Sequence, residues 1–207
     1  MIKEKSIQAF LDELASRAST PGGGSAAAIM GAMGAALLSM VANFTIGKKN
    51  YEAVEQEMRL LLAAAEGLRA DLTGLIQADV AAFDSVMAAY GMPRETEAEK
   101  GARMAAIQAA LKVAADVPLK CARQCAEVIR LSPTIAEKGN TSVISDAGVA
   151  VLAAEAALRS AALNVYVNIN AIKDQEFRED RRRQLESILE GAERRTEEVC
   201  KLVNGRL

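Results

Sequence analysis

The fold is decided by residues 26–46, AAAIMGAMGAALLSMVANFTI, which contain no charged side chain. A helix of this length could span a bilayer. However, the apolarity comes largely from Ala and Gly, the run includes Ser39, Asn43 and Thr45, and the chain has no second uncharged segment of this length. These features favour a helix at the centre of a soluble bundle, with no membrane partner.

One side of this helix is built from small residues. Small side chains recur every fourth position in two series: Gly24, Ala28, Ala32 and Ala36, and then Gly31 and Ala35. Such a side lets another backbone approach closely. A dimer seam is one use that we expect for it.

Composition predicts an all-α, single-domain bundle covering residues 1–207. The chain is 51% hydrophobic but only 3% aromatic, so its apolar content consists mainly of helix-favouring, closely packing residues. The net charge of −2 gives no electrostatic support for a nucleic-acid partner. Three cysteines without a framework spacing, and an N-terminus that lacks the pattern of a signal peptide, predict a cytoplasmic protein with free thiols.

Helical periodicity extends over most of the remaining chain. The predicted segments are Ser6–Ala18, Tyr51–Tyr90 with a kink near Gly67 or Gly74, Thr96–Arg130 with a kink or break at Pro118, Thr141–Ile172, and an amphipathic tail over Gln175–Leu207. Ser132-Pro133 is expected to end the third of these. Long, partly kinked helices around the Ala/Gly-rich segment are therefore predicted.

The absence of histidine is the strongest chemical constraint. It removes histidine general bases, Ser-His triads and histidine-ligated zinc. Cys121 and Cys125 share a helix face, but further soft ligands are not grouped near them, so we predict two packed thiols and no metal site. Proton transfer then depends on Asp, Glu, Lys, Tyr or Cys.

Two features at the ends of the uncharged helix could bind a ligand. The turn Pro21-Gly22-Gly23-Gly24-Ser25 presents free N–H groups at a helix N-terminus, with Ser25 as the expected N-cap, although glycine-rich turns are often only connectors. At the other end lie polar residues, namely Asn43, Thr45, Lys48, Lys49 and Tyr51. A ligand contact explains this second cluster, and so does a helix that surfaces there with cations at its C-terminus.

Asp146, Asn164 and Asn168 lie on one stripe of a predicted helix. The first two are nevertheless roughly 27 Å apart at about 1.5 Å per residue. Either the ligand is extended, or symmetry brings the two ends into different pockets, or the asparagines only tie helices together.

Taken together, these motifs resemble the formiminotransferase-cyclodeaminase family and its free-standing bacterial members. The resemblance rests on residues 21–25, 31–33, 40–45 with Lys48, Lys49 and Tyr51, Asp79 with Ala82-Phe83, Val117-Pro118, Gly139-Asn140, 145–147, Asn164-Val165, Asn168, and Asp174 before Phe177. It implies an all-α dimer acting on a tetrahydrofolate that carries a one-carbon group. The expected reaction is cyclisation of 5-formimidoyltetrahydrofolate with loss of ammonia, and the alternative is methenyltetrahydrofolate cyclohydrolase. A non-catalytic dimerisation or adaptor module remains the second alternative.

The family resemblance and the exclusion of histidine lead to specific residue predictions. Asp146 first and Asp79 second are expected to act as acid, base or cation stabiliser. Ligand orientation is assigned to Gly22, Gly23, Gly24, Ser25, Asn43, Asn140, Asn164 and Asn168. Lys48 and Lys49 suit the glutamate tail of a folate, which can be polyglutamylated. No tightly bound cofactor is expected, and a separate formiminotransferase would load a formimidoyl group.

Overall fold

The computed structural model describes residues 5–207, and this part of the chain is helical without a β-strand. The α-helices are α1 (Ile7–Leu14), α2 (Gly23–Thr45), α3 (Glu55–Tyr90), α4 (Glu97–Lys138), α5 (Ile144–Asn170), α6 (Gln175–Leu189) and α7 (Ala192–Asn204). Short 3-10 turns, Glu52–Val54 and Thr141–Val143, precede α3 and α5. The prediction of an all-α bundle of long helices is confirmed.

The uncharged segment forms α2, which packs lengthwise against α3 and α5 and also contacts α4. Its small residues make these close approaches possible. A Cβ added to Gly31 would lie 2.7 Å from the Cys125 sulfur, and one added to Gly34 would lie 2.9 Å from the Ala150 carbonyl oxygen. The small positions therefore serve packing within the subunit, and a dimer seam is not needed to explain them.

Apolar side chains remain exposed on α2 and α5 even though these helices are central. Met33 and Phe44 are more than half exposed on α2. On α5 the exposed apolar residues are Val149, Leu152, Leu163 and Val167. Because a monomeric protein seldom leaves this many large apolar groups on neighbouring helices uncovered, the α2–α5 surface is available for a partner.

The helix end predicted at Ser132-Pro133 is wrong, because α4 continues through Pro118 and Pro133 to Lys138. Pro118 therefore does not break the helix, and a kink there stays a prediction. Proline removes one helical N–H, but a helix buried between others can keep its course when packing outweighs that loss. Pro118 is buried, and it packs in the interior beside α2 and α5. The helix α3 is continuous through Gly67 and Gly74, and the kink predicted near one of them stays a prediction.

Two helix ends also differ from prediction. Ser25 is not the N-cap of α2, because the helix begins at Gly23 and Gly22 holds the cap position. The tail forms two helices rather than one, because Gly191 adopts a left-handed conformation, φ 73°, that glycine tolerates and other residues rarely do.

Three helical stretches are long and apolar enough to cross a membrane by length and composition alone: Gly23–Thr45, Glu52–Tyr90 and Thr141–Asn170. The uncharged segment is therefore not the only candidate span in residues 5–207, and its being alone is no reason against a membrane. All three stretches pack in the bundle and bury part of their apolar surface there. The absence of a membrane partner stays a prediction.

Candidate active site

A cavity of about 310 Å³ lies where the N-terminus of α2 meets the middle of α3 and α4 and the last turns of α5. Its lining combines polar groups with an apolar wall: Ser19, Thr20, Gly22, Gly23, Gly24, Asp79, Ala82, Phe83, Val86, Leu111, Ala114, Asn164 and Asn168. A few convergent polar groups in a largely apolar cavity are typical of small-molecule sites.

Asp79 is the carboxylate of this cavity. The Ser25 hydroxyl donates a hydrogen bond to Asp79 Oδ2 at 2.8 Å. Burial raises the pKa of Asp79, and the hydrogen bonds from the Ser25 side chain and backbone oppose that increase by favouring the ionised form. The result is a carboxylate whose pKa lies above the usual 3.8, which makes it a better proton acceptor than an exposed aspartate.

Gly24 allows this carboxylate to lie against the first turn of α2. A Cβ at position 24 would be 2.1 Å from Asp79 Oδ1 and 2.6 Å from Cγ, closer than any real contact. By contrast, a Cβ at Gly23 would meet the Asn164 amide at an ordinary 3.6 Å. Gly24 is therefore required by the close approach of a side chain rather than by its own backbone conformation.

The start of α2 supplies hydrogen-bond donors to the same cavity. Gly22 provides no side-chain cap, and the first intrahelical bond runs from the Ala26 N–H to the Gly22 carbonyl. The N–H groups of Gly23 and Gly24 therefore precede the helical hydrogen-bond pattern. Together with the helix dipole, they favour an oxygen atom or a negative charge at this end of the cavity.

The structure brings together Asp79, the residue 22–25 turn, Asn164 and Asn168, and it places the other predicted site residues elsewhere. Since α2 has 23 residues, its two ends are roughly 33 Å apart. Asn43, Lys48, Lys49, Asn140 and Asp146 lie around the C-terminus of α2 and the start of α5, far from the cavity. Within one subunit the two groups cannot contact the same small reaction centre.

Asn140 is fully engaged in the fold of its own subunit. Its side-chain nitrogen donates to the Phe44 carbonyl at 2.7 Å, and its side-chain oxygen accepts from the Ser142 N–H at 3.0 Å. Its backbone N–H donates to the Thr45 hydroxyl. Asn140 therefore caps the C-terminal end of α2 and the start of the 3-10 turn Thr141–Val143. This role is structural, whereas a substrate contact was predicted.

Sequence reasoning missed the apolar wall of the cavity. Phe83 and Val86 follow Asp79 at spacings of four and seven, so all three share one face of α3. Leu111 faces them from α4. The helical phase of α3 was a usable signal for Phe83 and Val86, whereas the arrival of Leu111 depends on tertiary packing.

The cysteine thiols are not among the residues that line this cavity. Cys121 and Cys125 are free and buried, and the neighbouring Cys121 thiol together with burial raises the pKa of Cys125 well above its ordinary value. A thiol of this kind is a poor nucleophile. Within residues 5–207, no cluster of three or more Cys, Asp or Glu side chains is arranged to hold a metal ion.

A helical bundle that places a hydrogen-bonded carboxylate and two amides in a small cavity at a helix N-terminus has the make-up of a small-molecule enzyme. Comparison with known proteins identifies which kind. The formiminotransferase-cyclodeaminase family model matches residues 6–187, and the chain belongs to that family of folate one-carbon enzymes.

Individual relatives support this assignment. The chain is 57% identical over 207 residues to methenyltetrahydrofolate cyclohydrolase from Methylorubrum extorquens, covering all of both chains. It is 36% identical over 189 residues to formimidoyltransferase-cyclodeaminase from Rattus norvegicus, of which it spans 35% of the length. The crystal structure of formiminotetrahydrofolate cyclodeaminase from Thermotoga maritima matches with a TM-score of 0.89, 35% identity, and coverage of 99% of this chain and 98% of that one.

Proposed function

We propose that this protein is a methenyltetrahydrofolate cyclohydrolase, which adds water to 5,10-methenyltetrahydrofolate and releases 10-formyltetrahydrofolate. The observation that carries the proposal is the 57% identity, across the whole of both chains, to a protein of that name. Identity to the curated cyclodeaminase-containing relative from rat is lower and covers a third of its length. Of the two reactions expected from the sequence, the comparisons therefore favour the alternative.

In the proposed mechanism, Asp79 is the general base. It takes a proton from a water molecule as the water oxygen bonds to the cationic methenyl carbon. The bond between that carbon and N5 then breaks while the new hydroxyl group loses its remaining proton and becomes the formyl C=O. Of the two protons that the water gives up, one is taken up by N5 and the other is released to solvent, and the carbon remains on N10 as a formyl group. The raised pKa of Asp79 suits proton abstraction, and the carboxylate also stabilises the substrate cation before attack.

Cyclodeamination is the second candidate, because the matched Thermotoga maritima structure bears a cyclodeaminase name. The same cavity suits it, since attack of N10 on a formimidoyl carbon also needs a carboxylate beside a cation and a group that protonates departing ammonia. The two reactions differ in the leaving group, and an assay separates them directly. The family assignment supports an enzyme over the adaptor module.

We also propose that the protein works as a homodimer through its exposed α2–α5 surface. A two-fold axis across α2 would run the helix antiparallel to its copy, and each cavity would then lie near the far end of the partner's α2. This arrangement accounts for Met33, Phe44 and the exposed apolar residues of α5. It would also bring Lys48 and Asp146 of the second copy towards the ligand, with the lysine beside the folate's glutamate tail.

The test uses the absorbance of the methenyl compound. The purified protein is mixed with 5,10-methenyltetrahydrofolate, and loss of absorbance is compared with spontaneous hydrolysis in the same buffer. Hydrolysis faster than in buffer is expected. If the methenyl compound is stable but absorbance instead appears from 5-formimidoyltetrahydrofolate, the protein is a cyclodeaminase, and inertness towards both compounds contradicts either enzyme.

A further inference from the structure

A proline in α4 leaves one carbonyl beside the cavity without its helical partner. In an α-helix the Ala114 carbonyl would accept from the N–H of residue 118, but residue 118 is proline and has none. Asn168, on α5, donates its side-chain N–H to the Ala114 carbonyl oxygen at 2.6 Å. The side chain of one helix therefore replaces a missing backbone bond of another.

This contact fixes which way the Asn168 amide faces. A carbonyl oxygen can only accept, so the Asn168 atom next to Ala114 must be the nitrogen. Asn164 is held similarly, because its side-chain nitrogen donates to the Ser160 carbonyl at 2.8 Å. Each asparagine lines the cavity and has one of its two side-chain N–H groups engaged in the fold. Within the described residues neither side-chain oxygen accepts a hydrogen bond, so each oxygen is available as an acceptor for a ligand.

We propose that Pro118 is a positioning residue. Because Pro118 has no backbone N–H, the Ala114 carbonyl accepts its hydrogen bond from the Asn168 side-chain nitrogen, and the Asn168 oxygen is thereby held as an acceptor for the ligand. Asn164, Asn168 and Asp79 then form a wall of hydrogen-bond acceptors. Such a wall selects a heterocycle whose edge carries N–H donors. This inference rests on the proposed function for the identity of that ring, since a reduced pterin presents N–H groups at its 2-amino group, N3 and N8.

Pro118→Ala should raise the stability of the protein while it weakens ligand binding. Pro118→Ala restores a backbone donor for the Ala114 carbonyl and removes a proline from a helix interior, so the variant should unfold at a higher temperature. At the same time the Asn168 amide loses its anchor and can turn a donor towards the ligand's donors. We expect tetrahydrofolate affinity and KM to worsen about tenfold, the loss typical of one hydrogen bond, with kcat changed less than threefold.

Pro133→Ala is the matched control. Pro133 also lies inside α4, but it is not part of the cavity lining. This variant should gain stability in the same way and bind tetrahydrofolate like the wild type. A merely structural role for Pro118 would make the two variants alike in affinity, and that result overturns the proposal.

A double mutant tests the contact itself. Asn168→Asp puts a carboxylate oxygen against the Ala114 carbonyl oxygen. Neither oxygen can donate a hydrogen bond, so the melting temperature should fall. In the Pro118→Ala background the backbone N–H satisfies that carbonyl, so the same substitution should lower the melting temperature much less. Additive effects of the two substitutions would refute the coupling.

The outcomes distinguish this inference from the proposed function. If the wild type hydrolyses the methenyl compound but Pro118→Ala binds tetrahydrofolate normally, the positioning role fails and the function stands. If the wild type hydrolyses nothing, yet tetrahydrofolate binds and weakens in Pro118→Ala, the function fails and the positioning role stands. A folded wild type that binds no tetrahydrofolate overturns both.

Discussion

Gly24→Ala is the substitution whose effect follows most directly from the geometry. The new methyl carbon would lie 2.1 Å from Asp79 Oδ1, whereas ordinary contact begins at 3.4 Å. The carboxylate must therefore move by about 1.3 Å. A displacement of about 1 Å at a reacting group costs roughly 100-fold in rate, so we expect kcat/KM for methenyl hydrolysis to fall about 100-fold.

The expected loss of stability is modest. Overpacking costs about 1–3 kcal/mol, and replacing a helical glycine by alanine returns up to about 1 kcal/mol. For a chain of this size the net cost corresponds to a melting temperature lower by only a few degrees. The assay is therefore steady-state kinetics at 25 °C, where the variant remains folded, together with a thermal melt.

Gly31→Ala is the matched control for a clash in the same helix. Its Cβ would meet the Cys125 sulfur at 2.7 Å and Leu72 at 3.1 Å, away from the cavity. It should lower the melting temperature at least as much as Gly24→Ala and leave kcat/KM at 25 °C within about threefold of the wild type. Near-normal activity of Gly24→Ala would refute the assignment of Asp79, because the carboxylate cannot keep its position beside that methyl group.

Three further predictions concern the carboxylates. Ser25→Ala removes a hydrogen bond that lowers the pKa of Asp79, so the pH profile of kcat/KM should shift to higher pH; an unchanged profile contradicts a catalytic Asp79. Because the folded pKa of Asp79 is raised, its contribution to stability is fullest below 3.8, the ordinary value, and is lost as pH rises through the folded pKa. Asp79→Asn should therefore gain in melting temperature relative to the wild type from pH 4 to pH 8, and a constant difference would be inconsistent with the raised pKa. Asp146→Asn should reduce turnover more than folate binding only if a second subunit brings Asp146 to the cavity, and a variant that shows wild-type kinetics as a dimer removes it from the site.

The sequence predicted α2 because a helix without charged side chains can bury much of its surface against other helices of a bundle. It wrongly predicted a helix end at Pro133, because local rules treat proline as a helix end. At Pro118 the helix also continues, and there the Asn168 side chain donates to the carbonyl that lost its helical partner. Only tertiary structure reveals such a substitute donor.

The sequence predicted several residues of the candidate site, but it did not predict which of them the fold brings together. The sequence prediction places Asp146 first and Asp79 second, but the position of Asp146 relative to the cavity depends on how α5 packs against α2. The pairing of Ser25 with Asp79 joins residues 54 positions apart in sequence and follows from the packing of α3 against α2. The glycine-rich turn was recognised from its backbone chemistry, which is local and therefore visible in sequence.

The central claim is that the Asp79 carboxylate moves the proton in this cavity, and the most direct measurement compares Asp79→Asn with Asp84→Asn, an exposed aspartate on the same helix. With 5,10-methenyltetrahydrofolate, Asp79→Asn should lose about 100- to 10,000-fold in kcat, the usual contribution of a general base, while it stays folded and binds folate. Asp84→Asn should match the wild type. A kcat for Asp79→Asn within tenfold of the wild type would contradict the account.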